Sequence, residues 1–369
     1  MKFEIKSKDG AARTCIISTV HGEIKTPAFM PVGTAGSVKT LENKELDALG
    51  ADIILSNAYH LYLRPGTETL QQLGGLHKFM GWNKPILIDS GGYQVLSLAA
   101  RRKVEEEGVR FQSHIDGSYH LFTPEKVIEI QRSIGADFIM PLDELVGYPV
   151  EKNMADDAAQ RTWRWLERSF EAFNSSTSLY DNEQVLIPIV QGSFYNDLRQ
   201  REAERLASLE AEAYAIGGLA IGEAVDQRQE AIDISVKYLP ENKPRYAMGI
   251  GLPQDLLDSI GRGIDLFDCV VPTRNGRNAT LFTPEGRLNL RNAKFASDEN
   301  PIEDGCPCPC CTQYSRAYLH HLYKSKEILA LKLGSAHNLS YYFRLMEDAR
   351  MHIEHGDFAN WMSEIISAS

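Results

Sequence analysis

Three aspartates lie at the ends of short apolar runs: Asp89 after 85–88, Asp143 after 137–142, and Asp268 within 264–269. Matching positions elsewhere carry Gln191-Gly192, Gly217-Gly218-Leu219 and Gly249-Ile250-Gly251. Taken singly, an aspartate after a strand caps a helix, and a glycine there permits a positive φ. The coincidence argues for more, because Asp268 interrupts the apolar stretch IDLFDCVVP, where an unpaired carboxylate is costly unless chemistry uses it. Such a set suits glycosidic chemistry. One carboxylate attacks an anomeric carbon and holds a covalent glycosyl intermediate, a second serves as general acid and base, and the outcome is retention. A third carboxylate and an amide complement a purine edge, since Asp accepts from N–H donors while Gln both donates and accepts. The set predicts glycosyl transfer at a nucleobase without saying which base.

A second cluster is made of thiols. Cys15 and Cys269 stand alone, whereas Cys306, Cys308, Cys310 and Cys311 crowd into CPCPCC. In a reducing compartment this crowding reads as metal ligation before disulfide chemistry. Cys306, Cys308 and Cys311 form a clasp that lacks one ligand of a tetrahedral zinc site, with His337, His320 and His321 as candidates. His337 precedes the amphipathic segment 338–350, where a helix start could aim its ring at the clasp; His320 and His321 sit inside an apparent helix over 315–324. Cys310 is the spare. Four protein ligands leave no open position, so the expected Zn2+ is structural.

The elements that must hold these groups are legible as apolar runs at 27–32, 52–56, 85–88, 137–142, 185–190, 214–216, 245–248 and 264–269, each followed by a helix-like segment. Eight runs alternating with helices predict an α/β fold, a (β/α)8 TIM barrel whose strand ends share one mouth. A doubly wound sheet is the alternative. Thr123-Pro124-Glu125 and Pro253-Gln254-Asp255 read as helix starts. The alternation breaks at 99–121, hairpin-like around Asp116-Gly117, and again after about Thr280.

The 369 residues are 43% hydrophobic and carry net charge −11, which argues against a generic nucleic-acid coat protein. The excess of acid lies in the first 269 residues, with 28 basic against 39 acidic groups; the region 270–335 is locally basic. The N-terminus MKFEIKSKDG lacks a signal peptide's apolar run, and nothing approaches the ~20 apolar residues of a membrane span. A cytoplasmic protein is expected.

The motifs DSGGYQV (89–95), MPLDE (140–144), IVQGS (189–193), IGGLAIGE (216–223), YAMGIG (246–251), FDCVVPTRNGRNA (267–279) and CPCPCC…H run in order along the chain. With them the chain resembles the tRNA-guanine transglycosylases, or queuine tRNA-ribosyltransferases, most closely the bacterial form. The resemblance implies a barrel over 1–280 and an inserted zinc-binding subdomain over 281–345, with a C-terminal helix over 346–369 packing back on the barrel. It also implies exchange of guanine at the first anticodon position of GUN tRNAs for the queuosine precursor preQ1, by a homodimer. Carried over, Asp268 is the nucleophile at ribose C1′ and Asp89 the general acid/base. Ser90, Gly91, Gly92, Asp143, Gln191, Gly218 and Leu219 form the base site, with Tyr93 and Met248 sandwiching the flipped-out base. The loop Thr273-Arg274-Asn275-Gly276-Arg277 is implied to touch bases flanking the target. Gly249, Ile250, Gly251, Leu252, Pro253, Gln254 and Asp255 are implied to meet the RNA backbone, and Cys306, Cys308, Cys311 and His337 to hold the zinc. Leu145 and Ile221 depart from residues common in the family, and both are apolar changes in the wall of the base pocket. A catalytically silent tRNA-binding partner subunit is the alternative, but it would be expected to lack carboxylates at 89 and 268. A zinc-dependent hydrolase of free bases is disfavoured by the closed ligand set.

Overall fold

The computed structural model describes residues 1–98 and 101–368. The chain opens as an antiparallel meander, β1 (Lys2–Asp9), β2 (Ala12–Thr19) and β3 (Gly22–Thr26). In β1 every second side chain is exposed, as expected of a sheet with one wet face. From the opposite parity Phe3 packs with Ile17 and Ile24 into an apolar core.

Three parallel strands follow: β4 (Ala28–Pro31), β5 (Ile54–Asn57) and β6 (Ile86–Asp89). Next comes a separate three-stranded antiparallel sheet, β7 (Arg102–Val104), β8 (Val109–Gln112) and β9 (Tyr119–Phe122), in which β8 and β9 form the hairpin expected around Asp116-Gly117. The first two residues of that expected break, Ala99 and Ala100, lie outside the described residues. The helix Pro124–Ile134 then starts as its sequence implies, with the Thr123 hydroxyl accepting from the Lys126 N–H at 3.1 Å.

The parallel set resumes with β10 (Phe138–Ile139), β11 (Val185–Leu186), β12 (Ile189–Val190), β13 (Tyr214–Ile216), β14 (Arg245–Ala247) and β15 (Leu266–Cys269). One arc runs β5-β6-β10-β11 and another β12-β13-β14-β15-β4. A lone bridge between Val32 and Leu55 links β4 to β5. The run 185–190 serves both arcs: the Ile187 N–H donates to Ile139 on one side, and Pro188 accepts from Ala215 on the other. Pro188 has no N–H, so the run divides into two short strands there. The run 137–142 also pairs over less than its expected length. At Met140 the Gln131 side chain takes both backbone hydrogen bonds, at 2.9 and 2.7 Å, and stands in for a neighbouring strand.

Every parallel strand divides its side chains between two cores. Met30, Leu55, Leu87, Phe138, Ile189, Ala215, Tyr246 and Leu266 enter the core that the meander closes. Phe29, Ile54, Ile88, Ile139, Val190, Ile216, Ala247 and Phe267 face the larger core shared with the helices. A two-residue alternation with both faces buried accounts for the near-continuous apolar runs.

Beyond Cys269 the hairpin of β16 (Thr280–Thr283) and β17 (Gly286–Asn289) builds a third core with Phe295, Ile302, Leu319, Leu322 and Leu333. The helix Ile328–His355 leaves this third core and continues into the largest one through Leu339, Tyr342, Leu345 and Ile353. The expected boundary at 345/346 falls inside that helix, and a second helix, Phe358–Ala368, follows it. Among the described residues no helix is long and apolar enough to cross a membrane.

Candidate active site

Asp89 is the last residue of β6, in register with Asn57 at the end of β5. Asn57 caps the next helix, its Oδ1 accepting from the His60 N–H at 3.1 Å, which turns Nδ2 toward Asp89 Oδ2 at 2.6 Å. The Gly91 N–H donates to the other carboxylate oxygen at 3.1 Å. Gly91 needs its positive φ of 82°, and a Cβ there would strike Tyr59 at 2.7 Å. Burial pushes the Asp89 carboxyl up to about 7 against the Asn57 hydrogen bond, and the charge of Asp268 adds to the rise. The two carboxyls therefore share one electrostatic environment.

Asp268 receives the Tyr246 hydroxyl at 2.6 Å and the Gly249 N–H at 2.8 Å, both on Oδ1. Burial raises this carboxyl while those two donors hold it down. Tyr246 is itself buried and far too weak an acid to compete for the proton, its phenol raised by burial and by Asp268. The arrangement fixes one carboxylate oxygen and leaves Oδ2 for other work.

Asp143 accepts from Gln191 Nε2 at 2.7 Å, and burial pushes its carboxyl up to about 6. Gln191 lies against two glycines: a Cβ on Gly217 would come within 2.9 Å of its Nε2, and one on Gly218 within 2.9 Å of its Oε1. Behind them Arg199, fully buried, donates to the carbonyls of Ser193 at 2.7 Å, Val190 at 3.1 Å and Gly217 at 2.8 Å. A guanidinium thereby fastens the segment carrying Gln191 to the segment carrying Gly218. The Glu223 carboxylate accepts from the N–H groups of Ala220, Ile221 and Gly222 at 2.7, 2.8 and 3.1 Å, which fixes the turn after Leu219. Ser90 is buried, Gly92 lies within contact of Asp143, Met248 is half-buried and Tyr93 is 57% exposed.

The residues implied to meet RNA divide by exposure. In the segment before and within the helix Pro253–Gly261, Gly249, Leu252, Gln254 and Asp255 reach solvent, whereas Ile250, Gly251 and Pro253 are buried. Asp255 is paired with Arg228. The expected loop at 273–277 is instead helical, Val271–Arg277, with Pro272 in its first turn. Arg274 is exposed and Asn275 and Arg277 half-exposed, but Thr273 and Gly276 face inward. Gly276 meets Gly334 of the helix Ile328–His355, backbone against backbone: a Cβ on Gly276 would lie 2.6 Å from the Gly334 carbonyl. The Tyr323 hydroxyl donates to the Gly276 carbonyl at 2.6 Å and closes the crossing.

One helical turn beyond Gly334, His337 completes the thiol cluster. Its Nδ1 lies 3.9, 3.6 and 3.3 Å from the sulfurs of Cys306, Cys308 and Cys311, and the four ligand atoms converge on one point. Nε2 bonds to the Phe282 carbonyl at 2.7 Å, so Nδ1 is the nitrogen turned to the sulfurs. The buried donor set of three thiols and an imidazole suits a metal ion. His337 does not stand before a helix as the sequence pattern suggests but well inside one. His320 is turned away, to the Leu290 carbonyl at 2.6 Å, and Cys310 is buried outside the converging group.

A profile of the family described as queuine tRNA-ribosyltransferase matches residues 8–369. The chain belongs to this family. Among similar proteins, the queuine tRNA-ribosyltransferase of Aquifex aeolicus is 49% identical, the alignment covering 97% of this chain and 96% of the relative. That of Zymomonas mobilis is 48% identical over 98% and 94%, and that of Caldanaerobacter subterraneus 48% over 99% and 97%.

Against this family background, four side chains at the site escaped the sequence reading. Asn57 carried a signal, a polar residue closing an apolar run, like Asp89. Glu223 ends a motif but sits five residues beyond Gly218. Tyr246 and Arg199 gave none, because one lies within an apolar run and the other within an ordinary helical pattern.

Proposed function

We propose that this chain exchanges guanine at the wobble position of GUN tRNAs (those for Asp, Asn, His and Tyr) for preQ1 through a covalent enzyme–ribosyl intermediate. The observation that carries this reading is the pair Asp89 and Asp268 at the ends of β6 and β15, both raised, the charge of Asp268 adding to the rise at Asp89, and neither paired with a cation among the described residues. Asp268 Oδ2 attacks C1′ of the target ribose as the bond to guanine breaks and its electrons pass to the base. A proton held on Asp89, available near neutral pH at a carboxyl of about 7, goes to the departing guanine. Asp89 then takes a proton from preQ1 as that base attacks C1′ and frees Asp268. Asp143, Gln191 and the Gly218 N–H read the purine edge, the Leu219 carbonyl meets the exocyclic amine, and Tyr93 and Met248 enclose the ring. A silent partner subunit is not favoured, since both carboxylates are present.

The scaffold of this reading is an eight-stranded barrel over 1–280, supported by the bridge at Val32 and by the run 185–190 shared between arcs. A zinc subdomain over 281–345 is supported by the third core, and the C-terminal helix over 346–369 then extends the metal-site helix. Zn2+ on Cys306, Cys308, Cys311 and His337 supplies a crosslink and, with no open position, no chemistry. Arg274 and Arg277, both with solvent access, face the splayed anticodon loop, and Gly249–Asp255 meets its backbone. A cytoplasmic homodimer fits the exposed Tyr318, Ile328 and Leu329 beside the third core.

Labelled guanine incubated with zinc-loaded protein and unmodified GUN tRNA should enter the tRNA; no incorporation by folded protein overturns the reading. His337→Ala should lose zinc and soluble yield, and full zinc occupancy in that variant would redirect the fourth ligand to Cys310 or His320. Sedimentation reads the oligomeric state, and tRNA affinity should fall steeply with salt.

A further inference from the structure

At the opposite end of the strands from the mouth, three segments bring together His21, His77 and Asp137. His21 lies in the turn between β2 and β3, His77 in the helix Gly75–Met80, and Asp137 immediately before β10. His21 Nδ1 is 2.6 Å from Asp137 Oδ1, and His77 Nε2 is 3.2 Å from Asp137 Oδ2. The two imidazoles stack, centroids 3.7 Å apart and planes 14° apart, with one nitrogen of each against a different oxygen of the carboxylate. All these ligand atoms lie within 4.8 Å of one another. His77 Nε2 is buried without an aligned hydrogen bond despite its closeness to the carboxylate. Asp137 also accepts from the Ile86 N–H at 2.9 Å, which fixes its plane.

We propose that His21, His77 and Asp137 form a second metal site, for a divalent transition ion such as Zn2+ or Co2+. Two imidazoles and one carboxylate are a donor set for such ions, and carboxylate oxygen alone would favour Mg2+ or Ca2+ instead. Donor pairs around an ion with bonds of about 2.1 Å stand about 3.0 to 3.4 Å apart in octahedral or tetrahedral geometry, so His77 at 3.2 Å from the carboxylate already fits, and His21, at 2.6 Å, has to draw back by about half an ångström. The ion takes the place of the hydrogen between His21 Nδ1 and Asp137 Oδ1, and a neutral His21 then carries its N–H on Nε2, so that the Nδ1 lone pair faces the ion. A cavity of about 220 Å³ lined by Ser18, Thr19, Asp137 and Glu183 adjoins the site and gives water room to complete the coordination. Lying away from the mouth, the ion ties the meander to the helix Gly75–Met80 and the start of β10, and takes no part in base exchange.

The test is a CoCl2 titration of untagged protein brought to one zinc per chain, the tightly held thiolate zinc. One saturable cobalt per chain beyond the zinc is expected, with weak visible bands and no intense thiolate-to-cobalt charge transfer, together with a rise in Tm. His21→Gln and His77→Gln should each lose that cobalt and the Tm rise while base exchange stays unchanged. No second equivalent in the unaltered protein overturns the proposal, as does a charge-transfer band showing that cobalt has only displaced the zinc. Persistence of the second cobalt in both variants overturns it as well.

Discussion

Two strands carry an aspartate near each end, and the two ends are treated in opposite ways. Asp265, just before β15, receives a bidentate Arg13 at 2.9 and 2.6 Å, together with the Arg245 N–H at 2.7 Å. Three residues on, Asp268 has, among the described residues, only a phenol and one backbone N–H. Similarly, Asp137 before β10 is met by two imidazoles and, despite its burial, is held below the usual carboxylate range by the hydrogen bond from His21 and by His77 beside it. Asp143, beyond the same strand, has a neutral amide and is raised. A carboxylate buried against a cation or an imidazole serves the fold. One given neutral donors keeps a charge or proton to spend on a substrate.

Exchanging one residue at each end of β15 is the strongest way to break this comparison. Asp268→Asn should abolish the covalent protein–RNA adduct and lower the exchange rate by about 10⁴-fold or more while tRNA still binds; a trapped adduct in that variant would remove Asp268 from the nucleophile's role. Asp265→Asn, by contrast, should cost about 3–5 kcal/mol of stability, since it leaves the Arg13 guanidinium buried without its counter-charge, yet spare the rate constant of the protein that remains folded. Chemical denaturation with active-site titration separates the two outcomes.

The raised carboxyls also link folding to pH. The native protein holds protons on Asp89 up to about pH 7 and on Asp143 up to about pH 6, whereas the unfolded chain releases them near pH 4. Their contribution to stability therefore declines as pH rises from 4 to 7, by several kcal/mol. Asp143→Asn should flatten that decline between about pH 4 and 6, leaving the stretch from 6 to 7 to Asp89, and an unchanged stability–pH curve would contradict the assignment. The smallest effect tests positioning. Arg199→Lys loses the three-way grip on Ser193, Val190 and Gly217, so KM for guanine should rise about tenfold with kcat little changed. An equal fall in kcat would mean that Arg199 acts on the transition state instead.

Much of the site was legible because strands with two buried faces leave few polar residues, and those stand out: Asp89, Asp143, Gln191 and Asp268 all mark strand ends. The positions misread are those that tertiary contacts decide. The sequence TRNGRN has a loop's composition, yet it forms a helix because Gly276 can lie directly on Gly334. The start of the helix Ile328–His355 was obscured by Gly334, which reads as a breaker in isolation. The strand β10 before Asp143 is shorter than the apolar run 137–142 because a side chain, Gln131, competes for the Met140 backbone, an exchange no periodicity reports.

The glycine crossing bears on how such a sequence can drift. At most packed contacts a larger residue on one side is offset by a smaller one opposite, so pairs wander together over generations. Gly276 and Gly334 have no smaller alternative, and the Tyr323 hydroxyl occupies the remaining space. Neither position has a compensating step open to it. The turn that carries Arg274 and Arg277 and the turn that carries His337 are thus pinned to each other at one point where no side chain larger than hydrogen fits.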